Sequence, residues 1–348
     1  MVCDASLVDE VREWWVDRLG VDGRRDVPWR PGPERAAGKP LDPRWTEQEV
    51  TLGAPGDELT CVIVRPSEAD GAVARPALGP APARRPAVVV PFYDVESVLG
   101  RPSPRPTTPG ALHAFAAPLV EAGLVVMVVP WWFETVAGTD APADLDGRYG
   151  PAAARHAATR ADTPLGRSVS DVIAAVDHLR TLDDVDPGRI GLLGHSLGGK
   201  LTLVTAALDP RVAAAAAHEP GVGFAHSNWA APWYLGEHVP KDRDLDELLG
   251  LVAPRPFLLV GGGSSDGAHN RDLLAQAAAR WGEGGGLDVL THDGGHPVPP
   301  HVLAACVAWL AGHLAGPGAD TGGTPRPEQL VSTLPGAGTT AGGRAWHA

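Results

Sequence analysis

From Ala87 onward the chain alternates short, mostly apolar runs with longer stretches of helical periodicity, and that alternation predicts its architecture. Ala87–Val90, Leu124–Val129, Ile190–Leu193, Val212–Ala217, Phe257–Val260 and Leu287–Leu290 read as strands covered on both faces, where no position needs to meet water. Helices are expected near 109–122, 167–183, 199–208 and 268–282, with a last one near 299–314. Upstream, Leu7, Val8, Val11, Trp14, Trp15 and Leu19 recur at helical spacing, which predicts an amphipathic helix over 6–19. Trp45–Leu52 and Glu58–Arg65 flank Gly53-Ala54-Pro55-Gly56-Asp57, and in the second segment Leu59, Cys61 and Ile63 alternate with Thr60, Val62 and Val64; this is a hairpin. A hairpin followed by β-α units predicts an α/β fold: a mostly parallel central sheet, an antiparallel N-terminal entrance, right-handed crossovers and helices on both faces.

The stretches without a packing face set the expected domain limits. Residues 20–44 are rich in Gly, Pro and Arg, 67–86 in Gly and Pro, and 316–348 in Gly, Pro, Thr and Ala. We therefore expect an N-terminal helix with an irregular extension (1–44), a catalytic domain (45–315) and a disordered tail (316–348). Two connections, 131–166 and 218–253, are too long to be turns. Both leave from the carboxyl ends of strands, where open α/β sheets bind ligands, so they are expected to act as pocket walls or a lid.

One strand ends in Gly194-His195-Ser196-Leu197-Gly198-Gly199-Lys200, and a helix starts directly after it. A Gly-x-Ser-x-Gly turn between strand and helix holds its serine on a sharp reversal that excludes larger side chains two residues to either side. A serine hydroxyl needs a base within hydrogen-bond reach, and the base needs an acid to fix its tautomer. In the chain order serine, acid, histidine, Pro256–Val260 leads into Asp266, and Leu287–Leu290 leads into Thr291-His292-Asp293-Gly294-Gly295-His296-Pro297. His296 is the favoured base, because the paired glycines let its loop reach back over the sheet; His292 is the alternative. Asp266 is the favoured acid, with a helix-capping role as its competing explanation and Glu219, after the strand Val212–Ala217, as its substitute. His195 is expected to pack beneath the turn and Lys200 to be structural. The oxyanion donors are expected to be the backbone N–H of Leu197 and, from the loop after Ala87–Val90, that of Tyr93, since Pro91 has none to give. Phe92, Trp131, Trp132, Trp229, Trp233 and Tyr234 are candidate substrate-pocket residues, although aromatic residues in such connections also serve to pack them down.

Composition narrows the partners. A net charge of -13 argues against nucleic acid, which is held largely through neutralisation of its phosphates by Lys and Arg. The acidic N-terminus and the lack of a long apolar run predict a cytoplasmic protein without a membrane partner. Cys3, Cys61 and Cys306 have no paired spacing, and no metal-binding motif occurs, so neither metal nor cofactor is expected. Gly261-Gly262-Gly263 lacks the spacing of a dinucleotide cradle.

The order Gly194-His195-Ser196-Leu197-Gly198-Gly199, Asp266, Gly294-Gly295-His296 resembles the α/β-hydrolase superfamily over roughly residues 45–315. The run from Asp171 to Leu179 before Val185-Asp186-Pro187-Gly188-Arg189-Ile190 is similar to dienelactone-hydrolase-like and acetyl-xylan-esterase-like proteins. Those relatives resemble the catalytic domain of prolyl oligopeptidases too, whose large propeller this chain is too short to contain. The His-Gly usual after the third strand is replaced by Phe92-Tyr93. The resemblance implies a cofactor-independent serine hydrolase cleaving a carboxylic ester of a small or medium molecule. A thioesterase, cyclase or acyltransferase would use the same triad, and a non-catalytic binding scaffold would keep only the fold. Oligomeric state is not legible.

Overall fold

The computed structural model describes residues 5–21, 28–53, 57–67, 84–103, 105, 113–282 and 285–315. The expected tail at 316–348, Cys3 and most of the 67–86 connection lie outside them. In chain order, α1 (Ala5–Leu19) is followed by β1 (Trp29–Ala36), β2 (Thr46–Leu52) and β3 (Leu59–Arg65). Next come β4 (Arg85–Phe92), α2 (Val95–Val98), α3 (Ala116–Glu121) and β5 (Val125–Pro130). The chain continues through α4 (Trp132–Ala137), α5 (Leu145–Thr159), α6 (Pro164–Thr181), β6 (Val185–His195), α7 (Leu197–Leu208) and β7 (Ala214–His218). It closes with α8 (Leu245–Gly250), β8 (Phe257–Gly261), α9 (Arg271–Ala278), β9 (Leu287–Thr291) and α10 (Pro300–His313).

The strands form one sheet in the order β1-β2-β3-β5-β4-β6-β7-β8-β9. The first four pair antiparallel and the run from β5 to β9 is parallel. Because β4 is buried on both faces, its valines divide between two cores: Val89 packs in the one shared with α1, α6, α7 and α8, and Val88 and Val90 in the one shared with α3 and α10. Each such buried side chain contributes about 1.5–3 kcal/mol relative to exposure.

One part of the N-terminal reading needs correction. Residues 20–44 are not irregular throughout, since β1 adds an edge strand to β2. Its sequence, WRPGPERA, is unfavourable for an inner strand; at the edge, Pro31 and Pro33 can be tolerated, and the register shifts between Pro31 and Glu34. The helix α1 docks on the main body. The Arg12 side chain donates to the Ala207 carbonyl at 3.4 Å, the Trp15 indole to Glu247 at 3.2 Å, and the Thr163 N–H to the Leu19 carbonyl at 2.9 Å.

Candidate active site

Every candidate catalytic side chain sits just beyond the carboxyl end of a parallel strand. Ser196 joins β6 to α7 with φ of +54°, a left-handed conformation that costs a non-glycine residue of order 1–3 kcal/mol. Its surroundings explain the flanking glycines: a Cβ on Gly194 would collide with the Gly198 carbonyl, and one on Gly198 with the Pro91 carbonyl. The Ser196 N–H donates to the His218 carbonyl at 2.9 Å, tying the turn to the end of β7.

His296, five residues past β9, brings Nε2 to 2.9 Å from Ser196 Oγ. Behind it lies Glu219, not Asp266. Glu219 Oε2 is 3.6 Å from His296 Nδ1, and the carboxylate is fully buried. Burial alone would raise its pKa. The bond with His296 and those from the N–H groups of Ser265, Gly262 and Ser264 outweigh that and hold it down to about 2. Glu219 is also one of three non-glycine residues with positive φ among the described residues, at +52°. Asp266, the acid favoured from the sequence, is not the carboxylate beside His296. The Asp266 carboxylate is buried among other partners: it accepts from the Gly221 N–H at 2.5 Å, the Val222 N–H at 2.8 Å and the Asn270 amide at 2.5 Å. The two loops exchange carboxylates. Glu219, after β7, holds amides of the loop after β8, and Asp266, after β8, holds amides of the loop after β7.

Leu197 opens α7, so its N–H lies at the positive end of that helix beside Ser196. Tyr93 brings its side chain to the same place: the phenol lies beside Ser196 and Tyr234, and burial raises its pKa, so it is protonated at neutral pH. Neighbouring Asp94 is occupied as the cap of α2, accepting from the Ser97 N–H at 2.8 Å and the hydroxyls of Ser97 and Ser103.

The aromatic candidates divide. Trp131, Trp233 and Tyr234 join Tyr93 and Tyr149 in one packed group, with Trp131 to Tyr149 at 4.6 Å and Tyr149 to Trp233 at 5.6 Å between ring centres. Trp229 packs on Tyr234 and on the buried Lys200 ammonium, whose Nζ donates to the Pro220 carbonyl at 2.9 Å and the Ser227 hydroxyl at 2.7 Å. Burial lowers the Lys200 pKa to about 7. Trp131, Trp229, Trp233 and Tyr234 are nearly inaccessible, so they pack the connections down. Phe92 is likewise buried, against His113, Phe115 and His195 beneath the turn. Trp132 faces elsewhere, stacking under Arg167 and beside His156.

The sequence reading missed a polar support behind Tyr93. The Arg105 guanidinium lies 3.6 Å over the Tyr93 ring and donates to the Tyr149 hydroxyl, which donates to Glu134 at 2.6 Å; Arg148 also donates to Glu134. Tyr149 and Arg148 lie on α5, whose start is signalled by the Asp144 cap but whose pattern is interrupted by Pro151. Tyr93 also lines a cavity of about 270 Å³, together with Asp94, Glu134, Thr135 and Arg148 among others.

No group of side chains suited to a metal ion, and no helix long and apolar enough to cross a membrane, occurs among the described residues.

The sheet order, the strained serine between β6 and α7 and the antiparallel N-terminal strands define an α/β-hydrolase fold. Residues 113–231 match the model of the Dienelactone hydrolase family. The chain is 32% identical over 103 residues to YtaP of Bacillus subtilis (strain 168), whose name describes it as a hydrolase; the match covers 28% of this chain and 34% of that protein. It is 46% identical over 50 residues to the acetyl esterase Axe7A of Xylanibacter ruminicola, covering 14% of this chain and 11% of that protein. The chain thus spans about a third and about a tenth of the length of these curated relatives. Among solved structures it is similar to a glucuronoyl esterase from Solibacter usitatus, with a TM-score of 0.58, 15% identity and coverage of 83% of this chain and 86% of that one. A promiscuous CE15 esterase from a marine bacterial metagenome gives a TM-score of 0.59, 16% identity and coverage of 88% and 91%.

Proposed function

We propose that this protein is a serine esterase that cleaves carboxylic esters of small or medium molecules through Ser196, His296 and Glu219. The observation that carries the reading is the 2.9 Å approach of His296 Nε2 to a serine held at φ of +54°, with a buried carboxylate behind the imidazole. The family match and the esterase names among the relatives support the same class of reaction.

In this reading His296 Nε2 takes the Ser196 proton as Oγ attacks the acyl carbon. Glu219 orients the ring and stabilises the imidazolium. The carbonyl oxygen, now an oxyanion, is held by the Leu197 N–H and the Tyr93 hydroxyl; one such donor is worth about 10²–10³-fold in rate. His296 then returns the proton to the leaving alcohol, and a water molecule repeats the sequence on the acyl-enzyme. Arg105 and the Tyr149 hydroxyl keep the Tyr93 ring in place. In the same reading residues 45–315 form the catalytic unit.

The test is a panel of p-nitrophenyl esters of graded acyl length, with an acetylated sugar and a methyl uronate, run on wild type and Ser196→Ala. The expected outcome is hydrolysis by wild type and a loss of about 10⁴-fold or more in the variant. Undiminished turnover by Ser196→Ala would refute the reading.

A further inference from the structure

Each member of the triad has a second histidine close by in the chain: His195 precedes Ser196, His218 precedes Glu219, and His292 lies four residues before His296. These three imidazoles touch one another. His195 Nδ1 is 2.8 Å from His218 Nδ1, and His218 Nε2 is 2.8 Å from His292 Nε2. The row runs across the sheet beneath the triad, from β6 to β7, where His195 and His218 are paired in register, and over β8 to the loop after β9.

One backbone amide sets its direction. The Gly294 N–H donates to His292 Nδ1 at 3.0 Å, so that nitrogen carries no proton and the ring proton of a neutral His292 is on Nε2. His292 Nε2–H therefore donates to His218 Nε2. That leaves the proton of His218 on Nδ1, which donates to His195 Nδ1 and leaves His195 protonated on Nε2. A further proton on His218 would set two N–H groups against each other. The surroundings favour the neutral forms: burial lowers all three pKa values, to about 3 for His218, and neighbouring imidazoles add to the effect.

The sheet is shaped to let the row pass. A Cβ on Gly262, just past β8, would meet the Gly295 carbonyl at 1.9 Å and His292 Cε1 at 2.8 Å, and one on Gly294 would lie 3.0 Å from His292 Nδ1 and from Pro299. Charged and titratable groups face the row from every side: His113 and His296 toward His195; Glu219 and His296 toward His218; Glu219, Asp293 and His301 toward His292.

We propose that His195, His218 and His292 are positioning residues: a directional row of neutral imidazoles that ties the loops of Ser196, Glu219 and His296 to one another. None of the three touches substrate. The proposal rests on the esterase reading for its consequence and on the hydrogen-bond pattern for its geometry. His292, the alternative base in the sequence, takes this supporting part.

Two measurements test it. Long-range ¹H–¹⁵N spectra of the wild-type protein labelled at histidine, at pH 7, read each tautomer directly; we expect Nδ1–H at His218 and Nε2–H at His195 and His292. Kinetics of His218→Phe, His292→Phe and the double variant read the role. Misplacement of the triad by about an ångström costs up to about 10²-fold, so each single variant should lose about 10- to 100-fold in kcat with KM changed by no more than about threefold. The double variant should lose no more than the worse single, because either substitution already breaks the row. An Nε2–H tautomer at His218, unchanged kcat in both single variants, or losses that multiply in the double would overturn the proposal. The two readings fail separately: absence of Ser196-dependent hydrolysis in wild type removes the esterase, while the tautomers still report on the row.

Discussion

The proposal of Glu219 over Asp266 as the acid rests on what each carboxylate holds. Asp266 has its oxygens committed to the amides of Gly221 and Val222 and to Asn270, whereas Glu219 reaches His296 while being held by amides of the opposite loop. Exchanging Glu219 for Gln keeps the shape and removes the charge that stabilises the imidazolium. Glu219→Gln should lower kcat for p-nitrophenyl acetate by about 10⁴-fold at neutral pH, as loss of the carboxylate does in serine triads. Asp266→Asn should act on stability instead, costing about 1–3 kcal/mol for buried amides left short of an acceptor, with a far smaller fall in kcat. Urea unfolding beside steady-state kinetics separates them; a larger kcat loss in Asp266→Asn than in Glu219→Gln would return the acid role to Asp266. Sequence could not make this choice, because both residues follow strands at one sheet edge and only the crossing of two loops determines which faces the histidine. Ser196 and His296 were legible. The glycines required around the first and the Gly294-Gly295 pair before the second are local, backbone-level signals.

Elements were legible where burial made their pattern simple. The strands from β4 to β8 appeared as apolar runs because their central residues are buried on both faces, and β9, half-buried at the sheet edge, kept Leu287, Val289 and Leu290. β1, α4, α5 and α8 did not, and each for a local reason. β1 carries two prolines at the sheet edge; α4 and α8 are short; α5 contains Gly147, Gly150 and Pro151. Yet α5 supplies Tyr149 and Arg148, which help hold Tyr93 against the serine. The long connections are thus packed supports, fastened by Trp131, Trp229, Trp233 and Tyr234 and by the buried Lys200, which bonds to the Pro220 carbonyl next to Glu219. The Tyr93 hydroxyl was hidden for a related reason. Its position depends on Arg105 and α5, far apart in sequence from the strand that precedes it.

At the scale of the whole molecule, buried histidines couple stability to acid. Burial lowers His113 and His178 to about 4 and His218 to about 3, from the ordinary 6.5. Between those values and 6.5 the unfolded chain binds more protons than the folded one, so stability is retained above about pH 6.5 and falls as pH is lowered through the window. Glu219, at about 2 instead of 4.5, extends the loss in the same direction below pH 4.5. Urea midpoints at pH 7.5, 5.5 and 4.5 should therefore decrease in that order; a midpoint that rises on acidification would contradict the neutral, buried state of these rings. A net charge of -13 at pH 7 diminishes as carboxylates protonate, which relieves self-repulsion and works against this trend, so the fall measures the histidines against an opposing effect.

The esterase reading stands on one activated oxygen, and a fluorophosphonate probe reports on it without any assumption about the natural substrate. Intact-mass analysis after incubation at pH 7.5, followed by peptide mapping, should show one probe per chain, attached at Ser196, with labelling abolished in Ser196→Ala and strongly slowed in Glu219→Gln. An unlabelled wild-type protein, or a probe attached at another residue, would contradict the account.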